Sequence, residues 1–320
     1  MNTPPVNIAP VAPSGAAQAA PRADRPLLAI SLRLCAMVLL ATMFMLVKYV
    51  GEYGVAATEV MFWRQAVTVP LVLFWLGARG QLGVLRTTRM ASHARRAATG
   101  TAGLFCNVTA AMLLPLSEAT TLGFTTPLFA VLIAAVVFRQ PVGVWRWTAV
   151  VLGFVGVLII SQPGHEPVSP WGVAAGLGAG LLVALVSFQI RDLARTEAPI
   201  CCVFWFAFYG ALIASLLLPT SITPHDATEW ALLIGVGVSG TLAQLLITFS
   251  LRFGQVATVV VMDYTALVWA TAYGWLIWDR LPSAATWLGA PAIVAAGLVI
   301  TWREHRLSRA ISPGSSLEDV

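Results

Sequence analysis

One apolar stretch of about twenty residues after another leaves this chain a single solvent in which to fold, the lipid bilayer. Hydrophobic residues make up 58% of the 320 and charged residues only 10%, whereas soluble domains carry about 25% charged residues. No soluble core can bury that much apolar surface. In hydrocarbon every backbone amide must be paired within the protein, so each continuous run predicts a helix. The runs do not alternate apolar with polar, which argues against β-barrel strands. Ten spans are predicted: Leu34–Val50, Thr58–Leu76, Ala97–Leu114, Ala119–Phe138, Trp147–Gln162, Trp171–Ile190, Ile200–Leu218, Trp230–Leu251, Val256–Trp278 and Ala285–Trp302. Arg33 falls at the inner interface of the first.

Basic residues set the direction of the helices. Arg22 and Arg25 precede the first span, and Arg79, Arg86, Arg89, Arg95 and Arg96 separate the second from the third. Arg139 and Arg146 follow the fourth, Arg191 and Arg195 the sixth, Arg252 the eighth, and Arg303, Arg306 and Arg309 the last. The alternate gaps hold only Lys48 and Arg280. This is the positive-inside pattern of a protein with both termini in the cytoplasm. The net charge of +5 therefore reports topology and predicts no nucleic-acid partner. Residues 1–26 and 305–320 read as polar cytoplasmic tails, the first without the apolar core of a signal peptide.

The two halves of the chain resemble each other. Ala119-Thr120 aligns with Ala257-Thr258, Phe138-Arg139-Gln140-Pro141 with Trp278-Asp279-Arg280-Leu281, and Gly156-Val157-Leu158-Ile159 with Gly297-Leu298-Val299-Ile300. Five spans per half is an odd number, so the second copy enters the membrane from the opposite face. The fold predicted is an all-α polytopic membrane protein, with ten transmembrane helices as two inverted five-helix repeats at 27–164 and 165–304. Many secondary transporters are built on that plan.

Several residues then carry a family resemblance over roughly 27–305. Lys48 ends the first helix, Phe62-Trp63-Arg64 sits in the second, and Glu118-Ala119-Thr120 with Thr126-Pro127-Leu128 marks the fourth. Gly153 and Gly156 follow. In these the chain resembles the EamA type of the drug/metabolite transporter superfamily. The family often has Glu at the ends of the fourth and ninth helices, where this chain has Gln140 and Asp279. The resemblance implies a central substrate cavity and a bacterial inner-membrane location, and it leaves the substrate open.

Ionisable side chains within a membrane are costly, at about 2.5–3.5 kcal/mol on insertion scales, and so point to function. Asp263 and Arg64 both fall deep in their spans. Asp263, among Val259, Val260, Val261, Met262 and Tyr264, is a candidate proton carrier. It is equally a candidate structural partner of Arg64. Arg64 suits an anionic substrate group or a fixed countercharge, because its guanidinium fork matches a carboxylate. Tyr264, Gln244, Asn107, Thr126, Thr125, Gln189 and Thr248 are further candidates for lining the cavity, and interhelical hydrogen bonding is the plainer reading of the polar ones. Lys48 and Glu118 are candidates for an outer gate. Pro127 predicts a kink in the fourth span. Glycines 176, 178, 180, 235, 237 and 240 predict close helix packing, internal rather than dimeric.

Cys35, Cys106, Cys201 and Cys202 lie in apolar runs without metal-ligand spacing and read as packing. The four histidines are placed in loops or tails. No phosphate loop, metal motif or triad order is present, so neither a cofactor nor an enzyme is expected. The function predicted is alternating-access transport of a small organic metabolite or drug, outward, with protons as coupling ion. Import of a compound such as S-adenosylmethionine or riboflavin is the alternative on the same fold. A multi-pass enzyme and a non-transporting scaffold are the readings from other classes.

Overall fold

The computed structural model describes residues 25–140, 142–161, 169–220, 223–253 and 261–310. They form α-helices and short 3-10 turns, with no strand among the described residues. The helices are α1 (Pro26–Glu52), α2 (Ala57–Ala78), α3 (Met90–Leu113), α4 (Leu116–Gly123), α5 (Thr126–Val136) and α6 (Val144–Ser161). They continue with α7 (Pro170–Leu193), α8 (Pro199–Ser215), α9 (Ala227–Phe253), α10 (Thr265–Trp278) and α11 (Ala284–Ala310). Seven stretches are long and apolar enough to cross a bilayer: α1, α2, α4 with α5, α6, α7, α9 and α11. α8 is a shorter apolar helix. Large apolar side chains such as Phe74, Leu158, Leu276 and Leu288 face outward. Such a surface aggregates in water and is the natural boundary with lipid.

Two helices begin earlier than the apolar runs suggest. α1 starts at Pro26, where a proline fits the first helical turn because its missing N–H would be unpaired there anyway. Arg33 is thereby carried two turns into the helix and buried, not left at an interface. α3 starts at Met90 and takes His93 into its first turn. The placement of every histidine in loops or tails is thus corrected: His93 and His305 are helical, and His225 is in a connection. His165 lies outside the described residues.

Contacts between connections define two ends of the bundle. At the basic end Arg25 N–H donates to the Phe253 carbonyl, and Arg89 pairs with Asp192. At the opposite end Lys48 donates to the Leu114 carbonyl, and Trp278 to Glu52. Successive spans, with α4 and α5 counted as one, therefore run antiparallel.

The fourth span is broken where Pro127 predicts. α4 ends at Gly123, Phe124 and Thr125 form a turn, and Pro127 sits in the first turn of α5. The corresponding part of the second half, Val261–Tyr264, is a 3-10 turn leading into α10. The two halves share a further detail. Arg139 and Asp279, aligned in sequence, are the two non-glycine residues with positive φ among the described residues, at 52° and 51°. Each follows its helix as a left-handed stop. The next amide reaches back six residues, Gln140 N–H to Ala134 and Arg280 N–H to Gly274. That bond satisfies a carbonyl the helix would otherwise leave free at its end.

Glycines bring helices of this one chain together. A Cβ at Gly237 would meet Val67 at 2.5 Å, and one at Gly176 would meet Leu122 at 2.8 Å. α6 and α11 cross most closely at Gly156 and Gly289, where a Cβ on either would lie 2.7 Å or 2.5 Å from the other's carbonyl oxygen. Small residues give membrane helices this contact. Backbone cannot swing aside as a side chain can. Gly289→Leu is therefore expected to cost about 1–3 kcal/mol or more through overpacking. Gly178→Ala meets only Cys106 Sγ, at 3.5 Å, and is expected to be neutral. Melting temperatures and monodispersity of the purified variants in detergent check both.

Candidate functional site

A cavity of about 600 Å³ lies between α1, α2, α3, the α4–α5 break, α7, α9 and the start of α10. Its wall is largely apolar, with Met37, Leu40, Phe44 and Phe124 prominent. Of the residues singled out as cavity candidates, Thr125, Gln189 and Thr248 are not in its lining, whereas six others are: Arg64, Asn107, Thr126, Gln244, Asp263 and Tyr264. They come from five different elements, brought together by the antiparallel run of the chain.

Arg64 reaches the cavity from two turns inside α2. Its Nε lies 3.3 Å from Met43 Sδ, and its Nη1 donates to Gln65 Oε1 at 3.2 Å. Gly240 on α9 leaves it room, since a Cβ there would come within 3.2 Å of Nε. Among the described residues no carboxylate forms an ion pair with it.

Asp263 does not pair with Arg64. Arg33 holds it instead in a two-pronged contact, Nε to Oδ1 at 2.5 Å and Nη2 to Oδ2 at 2.6 Å. The reason is depth. α1 and α10 both start at the basic end, so Arg33 and Asp263 sit at one level. α2 starts at the opposite end and places Arg64 higher. Arg33 is the cavity residue that sequence reasoning missed. The signal was Pro26, which starts the helix early enough to bury it.

Tyr264 packs edge-to-face on Phe124, ring centroids 4.9 Å apart, and its hydroxyl rests against Gly297 of α11. Asn107 and Thr126 donate to carbonyls of their own chain segments, Gly103 at 3.2 Å and Gly123 at 2.9 Å. The gate candidates lie at the opposite end, outside the cavity lining. Lys48 Nζ donates to the Leu114 carbonyl at 2.8 Å and stands 5.8 Å from the Trp278 ring centroid. Buried Glu118 accepts from Ser283 and Thr286, each at 3.3 Å. These contacts tie α1 to the α3–α4 corner, and α4 to the α10–α11 corner.

A third tie at that end was not foreseen. His225 Nε2 lies 2.7 Å from Glu59 Oε1 and its Nδ1 lies 2.8 Å from Glu229 Oε2. The ring is sealed against Trp230. Glu59 and His225 are far apart in sequence, and no local pattern links them.

The pattern of the EamA-like transporter family matches the chain twice, over residues 27–162 and 170–302. The chain belongs to the EamA-like transporter family. A riboflavin transporter of Vibrio cholerae is 29% identical over 81% of this chain and 87% of its own length. The pseudopaline exporter CntI of Pseudomonas aeruginosa is 28% identical over 77% and 86%. An S-adenosylmethionine uptake transporter of Rickettsia prowazekii is 24% identical over 81% and 87%. One crystal structure superposes with a TM-score of 0.61 at 21% identity, covering 87% of this chain and 98% of that one, and so shares the fold. The protein is a multi-pass membrane transporter.

The His225 tie is expected to make stability depend on pH. Burial works against a charged imidazole, but the hydrogen bonds and charges of Glu59 and Glu229 outweigh it and raise the pKa above its ordinary value. Asp226 adds a further carboxylate, accepting from the Glu229 amide at 2.8 Å. A raised pKa means the tie is fully present below the ordinary imidazole value and is lost as pH climbs through the raised one. The melting temperature is expected to fall over the upper part of a scan across about pH 5–9. His225→Gln is expected to flatten that fall.

Proposed function

We propose that this transporter is a secondary active carrier of the bacterial inner membrane, working by alternating access around the central cavity. Its ten crossings form two inverted five-helix repeats, 27–164 and 165–304, with both termini in the cytoplasm. The doubled family match and the paired caps at Arg139 and Asp279 support the repeat. The arginine-rich connections gathered at one end support the orientation.

Its cargo is a small organic metabolite with an anionic group and an apolar or planar body. One observation carries this: Arg64 faces the cavity without an acidic partner among the described residues. Arg33 and Asp263 neutralise each other, which leaves a net positive charge on the lining. A carboxylate or phosphate on the cargo would complete Arg64, and Phe44, Phe124 and Tyr264 would flank the rest. Asn107, Thr126 and Gln244 supply neutral polar contacts.

Asp263 is the proton carrier, as the one carboxylate of the described lining. A proton on it removes the charge that holds Arg33, so proton occupancy and the contact between α1 and the start of α10 change together. Lys48 and Glu118 belong to the closure at the opposite end. Movement is outward, as in the relative named as an exporter. The relative named for S-adenosylmethionine uptake makes import the second reading.

Metabolite profiles of cells and medium identify the cargo and direction. They are compared for wild type, Arg64→Gln, Asp263→Asn and cells without the protein. Transport into vesicles with and without a pH gradient then tests the roles. Arg64→Gln is expected to raise KM by about 10–100-fold, the worth of a lost charged hydrogen bond. Asp263→Asn is expected to abolish the response to the gradient while cargo still binds. Wild-type KM in Arg64→Gln would refute anion docking. A full gradient response in Asp263→Asn would refute proton transfer there.

A further inference from the structure

Away from the cavity, the basic end holds a buried cluster that transport does not use. His93 comes from the first turn of α3, Glu197 from the α7–α8 connection and Cys201 from the first turn of α8. Their donor atoms all lie within 4.8 Å of one another. We propose that His93, Glu197 and Cys201 bind one zinc ion, which clips the two halves of the chain together at the basic end.

The spacing leaves room for a metal ion. His93 Nε2 is 3.8 Å from Glu197 Oε2, too long for a hydrogen bond. The Cys201 thiol donates a long hydrogen bond to the same oxygen, Sγ to Oε2 at 3.6 Å, which a metal would replace. Tetrahedral zinc, with bonds of about 2.0–2.3 Å to N, O and S, places neighbouring ligand atoms roughly 3.3–3.8 Å apart. Two of the three separations lie in that range and the third is within 4.8 Å, so small side-chain rotations would bring one ion into reach of all three donors.

The state of His93 is the second and independent observation. Its side chain is fully buried, and neither ring nitrogen has a hydrogen-bond partner. A buried imidazole with both nitrogens unpaired is destabilising unless something binds it. The third argument is Glu197. Its other oxygen, Oε1, accepts from Thr87 Oγ1 at 2.8 Å. That is how a neighbouring hydroxyl orients a metal-bound carboxylate.

Charge and donor type select the ion. Binding releases the Cys201 thiol proton to water, and the thiolate with the carboxylate then balances a doubly charged cation. One imidazole, one thiolate and one carboxylate suit zinc, whereas magnesium and calcium prefer oxygen alone. A water completes the fourth position. Of the nearby cations, Arg89 pairs with Asp192 at 2.5 Å, and Arg96 stands over the Phe206 ring, 4.0 Å from its centroid. The clip would reinforce the Thr87–Glu197 and Arg89–Asp192 contacts between the same two connections.

The test uses the full chain, purified in detergent and stripped with a chelator, then titrated with zinc against a chromophoric competitor. Wild type is expected to take up one zinc per chain. Thr87→Val is expected to weaken binding by about 10–100-fold. Cys201→Ser and Glu197→Gln, close in shape to the originals, are expected to lose the site while eluting as folded protein. Cys106→Ser is expected to keep it. Cobalt substitution should give thiolate-to-metal charge-transfer absorption in wild type and Cys106→Ser, absent from Cys201→Ser. Failure of wild type to bind zinc, or undiminished binding by Cys201→Ser, would overturn the proposal.

Discussion

Everything in this fold follows from the cost of an unpaired backbone amide in hydrocarbon. That cost turns each apolar run into a helix. It also limits where a helix can be broken: only where the freed groups meet other partners or a cavity. The α4–α5 break and the 3-10 turn before α10 both border the central cavity. Threonines repair them. Thr125 donates to the Leu122 carbonyl at 2.6 Å, Thr126 to Gly123 at 2.9 Å, and Thr265 to Met262 at 2.7 Å. The irregular backbone that shapes the substrate space is therefore affordable only because its carbonyls are satisfied locally.

Charge obeys the same economy of placement. Asp263 and Arg33 meet at one depth and cancel, whereas Arg64 stands at another depth beside Gln65 and Met43, with no carboxylate paired to it among the described residues. On the function proposed above, that arrangement would discriminate among cargoes by charge. The ties at the end opposite the basic loops use different chemistry. There Lys48, Glu118 and His225 bind backbone, hydroxyls and carboxylates of neighbouring helices.

Membership of the EamA-like family explains the scaffold and not the cargo. Relatives under 30% identical carry names for riboflavin, pseudopaline and S-adenosylmethionine transport. In this chain Arg64, Asp263, Phe124 and Tyr264 line the central cavity, and the cargo proposed above rests on them.

The amino-acid sequence alone determined the class of fold, the break near Pro127 and several of the polar residues that line the cavity, Arg64 and Asp263 among them. Those properties depend on composition along one helix, which local physics decides. Tertiary structure alone decided the partners. Asp263 takes Arg33 over Arg64 because helix direction sets depth, and direction matters only once helices pack. Glu59 with His225, and His93 with Glu197 and Cys201, are pairings across long stretches of chain. Such distances leave no periodic trace in the sequence, so only the packed bundle reveals them.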